Sequence, residues 1–437
     1  MQNYSVVRVK YKDLLLDERR TFLIHFTYSF IEGIIMGVLV LNEFVLIKSL
    51  KGTDYQIGLL FQFSVVLMFF SVLFNELVKR SRNKPKLIKW IGIFTRLPLL
   101  IFLIFPHFFD MSANETLIQI AFLGVFLVFY LANPIILPTI NLFLKTNYQH
   151  KHFGPLYSYS TTINKVVMLG STFGFGWLLD RDPNSFLIVY PVIGLLGMFS
   201  IFLFSKIPFQ PSKLEIKTTI RKSLKSSISG MFEIIQTNKP YRDFEIGFML
   251  YGFAWMTTIA VITIFFADKL HLSYSSVAFY KNSYNLIAIL ILPFFGRLIN
   301  KIDPRKFAVF TFGSLMLYLV FLALTEHLSW NTEIMGIQLY YMLIPAFLAH
   351  AVFAATMSLL WFIGSSYFSR SDSAADYQSV HLTLTGARGL FAPLLGVLFY
   401  EIFGFTITFS IAIFALIIAM VLMYWSMKNR SMNPESF

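Results

Sequence analysis

Again and again this chain runs for about twenty residues with almost no charge, the length a helix needs to cross the hydrocarbon of a bilayer. Lipid offers no hydrogen bonds, so such runs must satisfy their backbone internally, which a helix does and an open loop does not. About twelve runs can be marked, each near the bilayer length. They are 21–47, 57–78, 87–105, 117–144, 158–179 and 185–204, then 244–267, 277–299, 306–325, 337–365, 378–399 and 403–425. With 56% hydrophobic residues, 14% charged and 50 Phe among 437 residues, the chain carries more apolar surface than a soluble domain can bury.

A net charge of +13 would suit nucleic acid if the basic residues shared one surface. They alternate between loops instead. With the N-terminus inside, the outer loops hold only Lys48, Lys51, Arg181 and Lys269, and the inner segments hold nearly all the rest. That excess places both termini in the cytoplasm. The expected architecture is an all-α polytopic membrane protein: bundles over 21–204 and 243–425, and cytoplasmic segments 1–20, 205–242 and 426–437. The central segment spaces Leu214, Ile216, Ile220, Leu224, Ile228, Phe232 and Ile235 beside a basic face, so it reads as an amphipathic helix on the inner leaflet. The lipid bilayer is the expected partner, and nucleic acid is not. If the source is bacterial, the location is the inner membrane. The basic start and long first run do not fit a cleaved signal peptide.

Four cations lie within the runs: Arg96, Lys165, Lys281 and Arg388. Arg388 sits in the middle of Tyr377–Glu401, where a charge costs roughly 2.5–3.5 kcal/mol on insertion scales and so needs a partner or a task. Tyr157–Asp180 repeats the arrangement: pairing Tyr157 with Tyr377 also pairs Gly176 with Gly396, and Lys165 falls one helical turn before the place of Arg388. Two pseudo-symmetric six-helix bundles around a central polar site would follow, as in secondary transporters. Gly170, Gly174 and Gly176, and Gly386, Gly389, Pro393 and Gly396, suit close helix packing.

Enzyme chemistry finds little support. The chain has no cysteine, so no thiolate or disulfide, and no HExxH, phosphate-binding Gly-rich loop or GxSxG. His107–Asp110 is one residue short of an acyltransferase pair. No metal or cofactor is expected.

Two loops carry a resemblance. GRLINKIDPRK after the eighth run is similar to the loop motif of the major facilitator superfamily, Gly-x-x-x-Asp-Arg-x-Gly-Arg-Arg/Lys. Gly296 matches its first Gly, Asn300 stands where Asp is usual, Lys301 follows, and Arg305-Lys306 form the basic end. NELVKRSRNKPK, after the second run, keeps the basic residues without the Gly or Asp. LKGTDYQIGLLFQF and LHLSYSSVAFY resemble the outer loops of such permeases. The resemblance spans nearly the whole chain. It implies alternating access, with the first, fourth, seventh and tenth helices lining a central cavity.

On that map Glu32, Lys165 and Arg388 form the expected charged core. They would serve a small organic anion or zwitterion with proton coupling, since Arg suits bidentate contact with carboxylate or phosphate. A static ion pair with an acid such as Glu32 is the plain alternative for either cation. His350, Trp255 and Asn133 join the candidate site, His350 as a proton carrier or a satisfied core residue. Arg96 is expected to snorkel to the inner surface. Lys281 and Asn285, with Gly296, Asn300 and Arg305, are expected gating or structural residues. Other readings are a proton-linked exporter of amphipathic compounds and a non-transporting sensor or scaffold on the same fold.

Overall fold

Three helices start with the same chemistry. Asn83, Asn238 and Asp303 each accept a hydrogen bond from a backbone N–H of the first turn, and Pro85, Pro240 and Pro304 fill early positions where no N–H is needed. The structure, a computed structural model, describes residues 14–69, 74, 81, 83–105, 114–209, 220–299, 301–369 and 374–431. They are almost entirely helical. In order they form α1 (Leu16–Leu39), α2 (Asp54–Phe69), α3 (Lys84–Arg96), α4 (Glu115–Tyr130), α5 (Asn133–Asn147), α6 (His150–Arg181) and α7 (Phe186–Phe204). Then come α8 (Ile220–Thr237), α9 (Lys239–Ile264), α10 (Tyr274–Ile299), α11 (Pro304–His327), a hairpin of β1 (Asn331–Ile334) and β2 (Ile337–Tyr340), α12 (Leu343–Leu359), α13 (Ala374–Gly389) and α14 (Ala392–Asn429). Among the described residues, six helical segments are long and apolar enough to cross a membrane.

The chain forms two compact units, Met1–Lys51 with Phe70–Lys217, and Gly52–Phe69 with Thr218–Phe437. In the first, α1 packs on α6 and α7, and α7 packs on α3. Gly33 and Gly37 make the α1–α6 approach possible, because a Cβ at either would meet the Asn164 or Met168 carbonyl. Hydrogen bonds then cross the seam, from Thr172 Oγ1 to the Gly37 carbonyl and from Asn164 Nδ2 to the Ser29 carbonyl, both 2.9 Å. In the second unit α9 packs on α14, α14 on α11, α12 on α10 and α11, and α2 on α13 and α14.

Several expectations are corrected. The tenth run does not begin as helix at 337: Ile337–Tyr340 is a strand paired antiparallel with Asn331–Ile334, and helix starts at Leu343. Gly336, at φ 77°, supplies the left-handed turn. The stretch around Arg388 is not one helix. It breaks between Gly389 and Ala392, because Pro393 lacks the N–H that would continue the ladder. The fourth run likewise breaks at Leu131–Ala132, ahead of Pro134. Gly404, at φ 78°, turns the chain within α14. Gly170 and Gly174 have nothing within 4 Å of a Cβ position, so the seam glycines are those of α1. Of the central amphipathic segment, α8 carries the part from Ile220, and Leu214 and Ile216 lie outside the described residues.

Gly37→Val should destabilise the first unit by about 1–3 kcal/mol through overpacking at the α1–α6 seam. Thermal unfolding in detergent, against Gly174→Val as the open-space control, checks this; equal midpoints for the two variants would show the seam is not close.

Candidate functional site

In the first unit a polar cluster sits among α1, α3 and α7. Glu32 is partly buried, and the Ser200 hydroxyl donates to its Oε1 at 2.7 Å. The guanidinium that reaches this acid electrostatically is Arg96, not Lys165. Arg96 does not snorkel; it is 3% exposed. Its Nη1 donates to Thr95 Oγ1 at 2.8 Å, its guanidinium carbon lies 4.6 Å from the Phe129 ring centre, and its Nε has no partner. Gly197 makes the room, since a Cβ there would press on the Arg96 side chain. Sequence reading misses this because Gly197 and Ser200 are unremarkable in an apolar run. Lys165 is partly buried on α6, and among the described residues it makes no ion pair. Asn133, also partly buried, opens α5 just after the break in the fourth run.

The second unit has a matching feature. Arg388, 2% exposed near the end of α13, lies directly on Gly252 of α9, where any Cβ would overlap the guanidinium. Nη1 donates to the Phe248 carbonyl, Nη2 to Thr385 Oγ1 at 3.3 Å, and the Tyr251 ring centre lies 5.7 Å away. Its Nε has no partner, and among the described residues no carboxylate bonds it. A buried guanidinium hydrogen-bonded only to neutral groups keeps much of its attraction for an anion.

Beside it an aromatic box encloses His350, which is 6% exposed. Tyr284 and Tyr318 flank the imidazole at 4.2 and 4.4 Å between ring centres, with Trp255 at 5.5 Å and Phe353 at 5.8 Å. Nδ1 of His350 has no partner. This brings two expected site residues, His350 and Trp255, into contact. The box offers flat apolar walls and one imidazole polar group.

The remaining candidates lie elsewhere. Asn285 Nδ2 donates to the Lys281 carbonyl at 2.8 Å, one turn apart on α10. Gly296 has open space around it, and Asn300 falls outside the described residues. Arg305 is a saturated clamp. It pairs with Asp303 at 2.7 Å and donates to the carbonyls of Ser426 and Arg430, each 2.9 Å away, so the start of α11 is tied to the end of α14. Arg430 in turn bonds Asp243 of α9 at 2.8 Å.

A second charged group sits at the start of α2. The Tyr55 hydroxyl donates to Glu401 Oε2 at 2.6 Å. Burial, then the nearby Asp268 and Glu401 carboxylates, push the Asp54 carboxyl up to about 6.

Residues 21–387 match the sequence profile of the Major Facilitator Superfamily. No curated protein matches the chain. Among solved structures, a variant of the nucleoside transporter NupG is 14% identical over 94% of this chain and 100% of its own, with a TM-score of 0.68. The peptide transporter POT in complex with sulfate is also 14% identical, over 94% of each chain, at 0.68. The D-xylose–proton symporter is 10% identical over 96% of this chain and 98% of its own, at 0.64. At these identities the likeness concerns the fold.

The Asp54 environment yields a pH test. A carboxyl whose folded value lies above its ordinary 3.8 binds more protons folded than unfolded, so stability falls as pH rises from about 4 to about 6. Asp54→Asn should therefore raise the unfolding midpoint more at neutral pH than near pH 4.5. An equal gain at both would refute the crowding of these acids.

Proposed function

Because this chain belongs to the major facilitator superfamily, we propose that it is a secondary active transporter that moves a small organic anion or zwitterion by alternating access, driven by protons. The observation that carries the anion is Arg388. Its charge is buried, and among the described residues its hydrogen bonds go only to a carbonyl and a hydroxyl, beside a ring face, with Nε left over and Glu245 reaching it only through space. An ion pair of the kind that saturates Arg305 would have hidden this charge from solute; among the described residues Arg388 has none, which leaves the guanidinium available. A carboxylate or phosphate on the solute would complete it, and Arg provides the planar donor geometry such groups fit.

Glu32 is the acid best placed to exchange a proton. It is only partly buried, is held by the Ser200 hydroxyl, and is subject to the Arg96 charge. Holding and releasing a proton there would change the net charge of the α1–α3–α7 cluster by one, which gives the two conformations a differential stability. Lys165, partly accessible on α6, is a second cation for the solute. The solved relatives transport nucleosides, peptides and xylose according to their names, which suits a small organic solute. Twelve spans, cytoplasmic termini and, in a bacterial source, an inner-membrane location complete the proposal.

A second reading, export of amphipathic compounds, is favoured by the aromatic box around His350. One experiment separates the two. Purified protein in vesicles with an imposed pH gradient is screened for uptake of labelled organic anions, zwitterions and lipophilic cations. Transport of an anion that falls at least tenfold in Arg388→Ala, with part retained in Arg388→Lys, is the expected result, since losing a buried charge contact costs about 2–5 kcal/mol. Movement of lipophilic cations that is indifferent to Arg388→Ala would favour export and sink the anion reading.

A further inference from the structure

Four histidines are buried among the described residues, and their surroundings separate them. His25 Nδ1 meets the Tyr148 hydroxyl at 3.1 Å, with no carboxylate on the ring. His350 lies among aromatic rings with no carboxylate bonded to it. A proton on either ring would be an uncompensated buried charge. His152 does meet an acid, Glu18, at 3.1 and 3.2 Å. That acid, however, also accepts from the backbone N–H groups of Gln149 and Leu15, at 2.8 and 3.2 Å, so it serves as a cap for the inner ends of α1 and α6.

His381 differs from all three. It is 1% exposed on α13, and Glu245 on α9 is 2% exposed. Nδ1 lies 3.1 Å from both carboxylate oxygens. Donation of the Nδ1 hydrogen to that carboxylate fixes the tautomer and leaves the lone pair on Nε2. Nε2 has no partner. The walls around the ring are apolar: Phe248 at 4.9 Å and Trp361 at 4.7 Å between ring centres, both edge-on.

We propose that the His381–Glu245 pair is a proton-binding site inside the second unit, with the proton received on His381 Nε2. The transfer is simple in its balance. A proton from water adds to the free lone pair, no other bond breaks, and the pair changes from net −1 to net zero. The carboxylate already in place compensates the imidazolium, which is what the other buried rings lack. The site deepens the proton-driven reading above and rests on it. It adds a titrating group to the unit that holds Arg388, whereas Glu32 belongs to the other.

The groups around the pair fit this role. Tyr241, one turn before Glu245 on the same helix, donates its hydroxyl hydrogen to the Tyr377 carbonyl at 2.7 Å. Arg388, about two helical turns beyond His381 on α13, acts on Glu245 through space. Asp243, two residues before Glu245, is committed to Ser426 of α14 and to Arg430 just past its end. On α8 the described charges, Lys225 and Glu233, are exposed. The turns after α12 bring Trp361 and Tyr367, and α2 brings Asp54 and Tyr55 only at its far end. Charging Nε2 adds a second cation to the helix that carries Arg388. A proton at His381 and an anion at Arg388 therefore strengthen each other's binding.

Trp361 is a built-in probe, because an imidazolium against an indole edge quenches its fluorescence far more than a neutral imidazole does. The full chain in detergent, with no solute added, is titrated from about pH 8 to pH 5 beside Trp361→Phe. Their difference isolates the Trp361 signal without altering the pair. The expected result is a reversible quench on acidification that is absent in His381→Gln. In Glu245→Gln it should require about tenfold more protons, since the compensating carboxylate is gone. No pH-dependent Trp361 signal in the wild type, or the same quench in His381→Gln, overturns the proposal. Because no solute is present, a quench without flux would defeat the transporter reading alone, and flux without a quench would defeat this site alone.

Discussion

Every carbonyl freed where a helix breaks inside lipid has to find a donor, and the surroundings of Arg388 in the second unit are arranged around such a break. An unsatisfied backbone group in hydrocarbon costs several kcal/mol. When the chain interrupts α13 and α14 at Leu390–Phe391, the Leu390 carbonyl turns out of the ladder and is met by the side-chain amide of Gln62 on α2. The same α2 face runs against Gly386 and Gly389, where a Cβ would strike Phe69 or Val65. A polar residue in an apolar helix and two glycines in its neighbour thus serve one purpose: they let α2 close over the break. Arg388 lies one turn before it, where the helix ends and its side chain turns onto α9.

Glycine is the second half of that arrangement. Both arginines buried within the spans lie where a facing helix has no side chain: Arg96 against Gly197 and Arg388 against Gly252. A guanidinium is bulky and planar, and in close-packed interiors the volume has to be conceded by a neighbour. The concession positions the charge rather than neutralising it. Each arginine keeps an Nε without a partner, while Nη1 of Arg96 bonds a hydroxyl and the two terminal nitrogens of Arg388 bond a carbonyl and a hydroxyl.

The end of the second unit where α11 begins shows the opposite use of charge. Asp303, Arg305, Ser426, Arg430 and Asp243 form a closed network in which the donors meet carboxylates, carbonyls or hydroxyls within 3.1 Å. It joins the starts of α9 and α11 to the end of α14. A two-state carrier needs both kinds: saturated contacts that keep each bundle rigid, and unsaturated ones whose partners change between states.

The sequence alone determined that this is a helical membrane protein, because the length and spacing of apolar runs depend only on the bilayer and on backbone hydrogen bonding. It also located Arg388 and Glu32, since a charge in an apolar run is visible without coordinates, and the resemblance in the loop around Gly296 and Arg305 pointed to the family. It placed helix boundaries less well: the hairpin at 331–340 and the break after Arg388 depend on Gly336 and Pro393 acting locally within runs that are apolar throughout. Partner choice was hidden altogether. That Glu32 answers to Arg96 and Ser200, that Arg388 rests on Gly252, and that His381 meets Glu245 are decided by which faces of distant helices meet. A one-dimensional pattern records the face each residue occupies on its own helix; the packing of one helix on another chooses the neighbour.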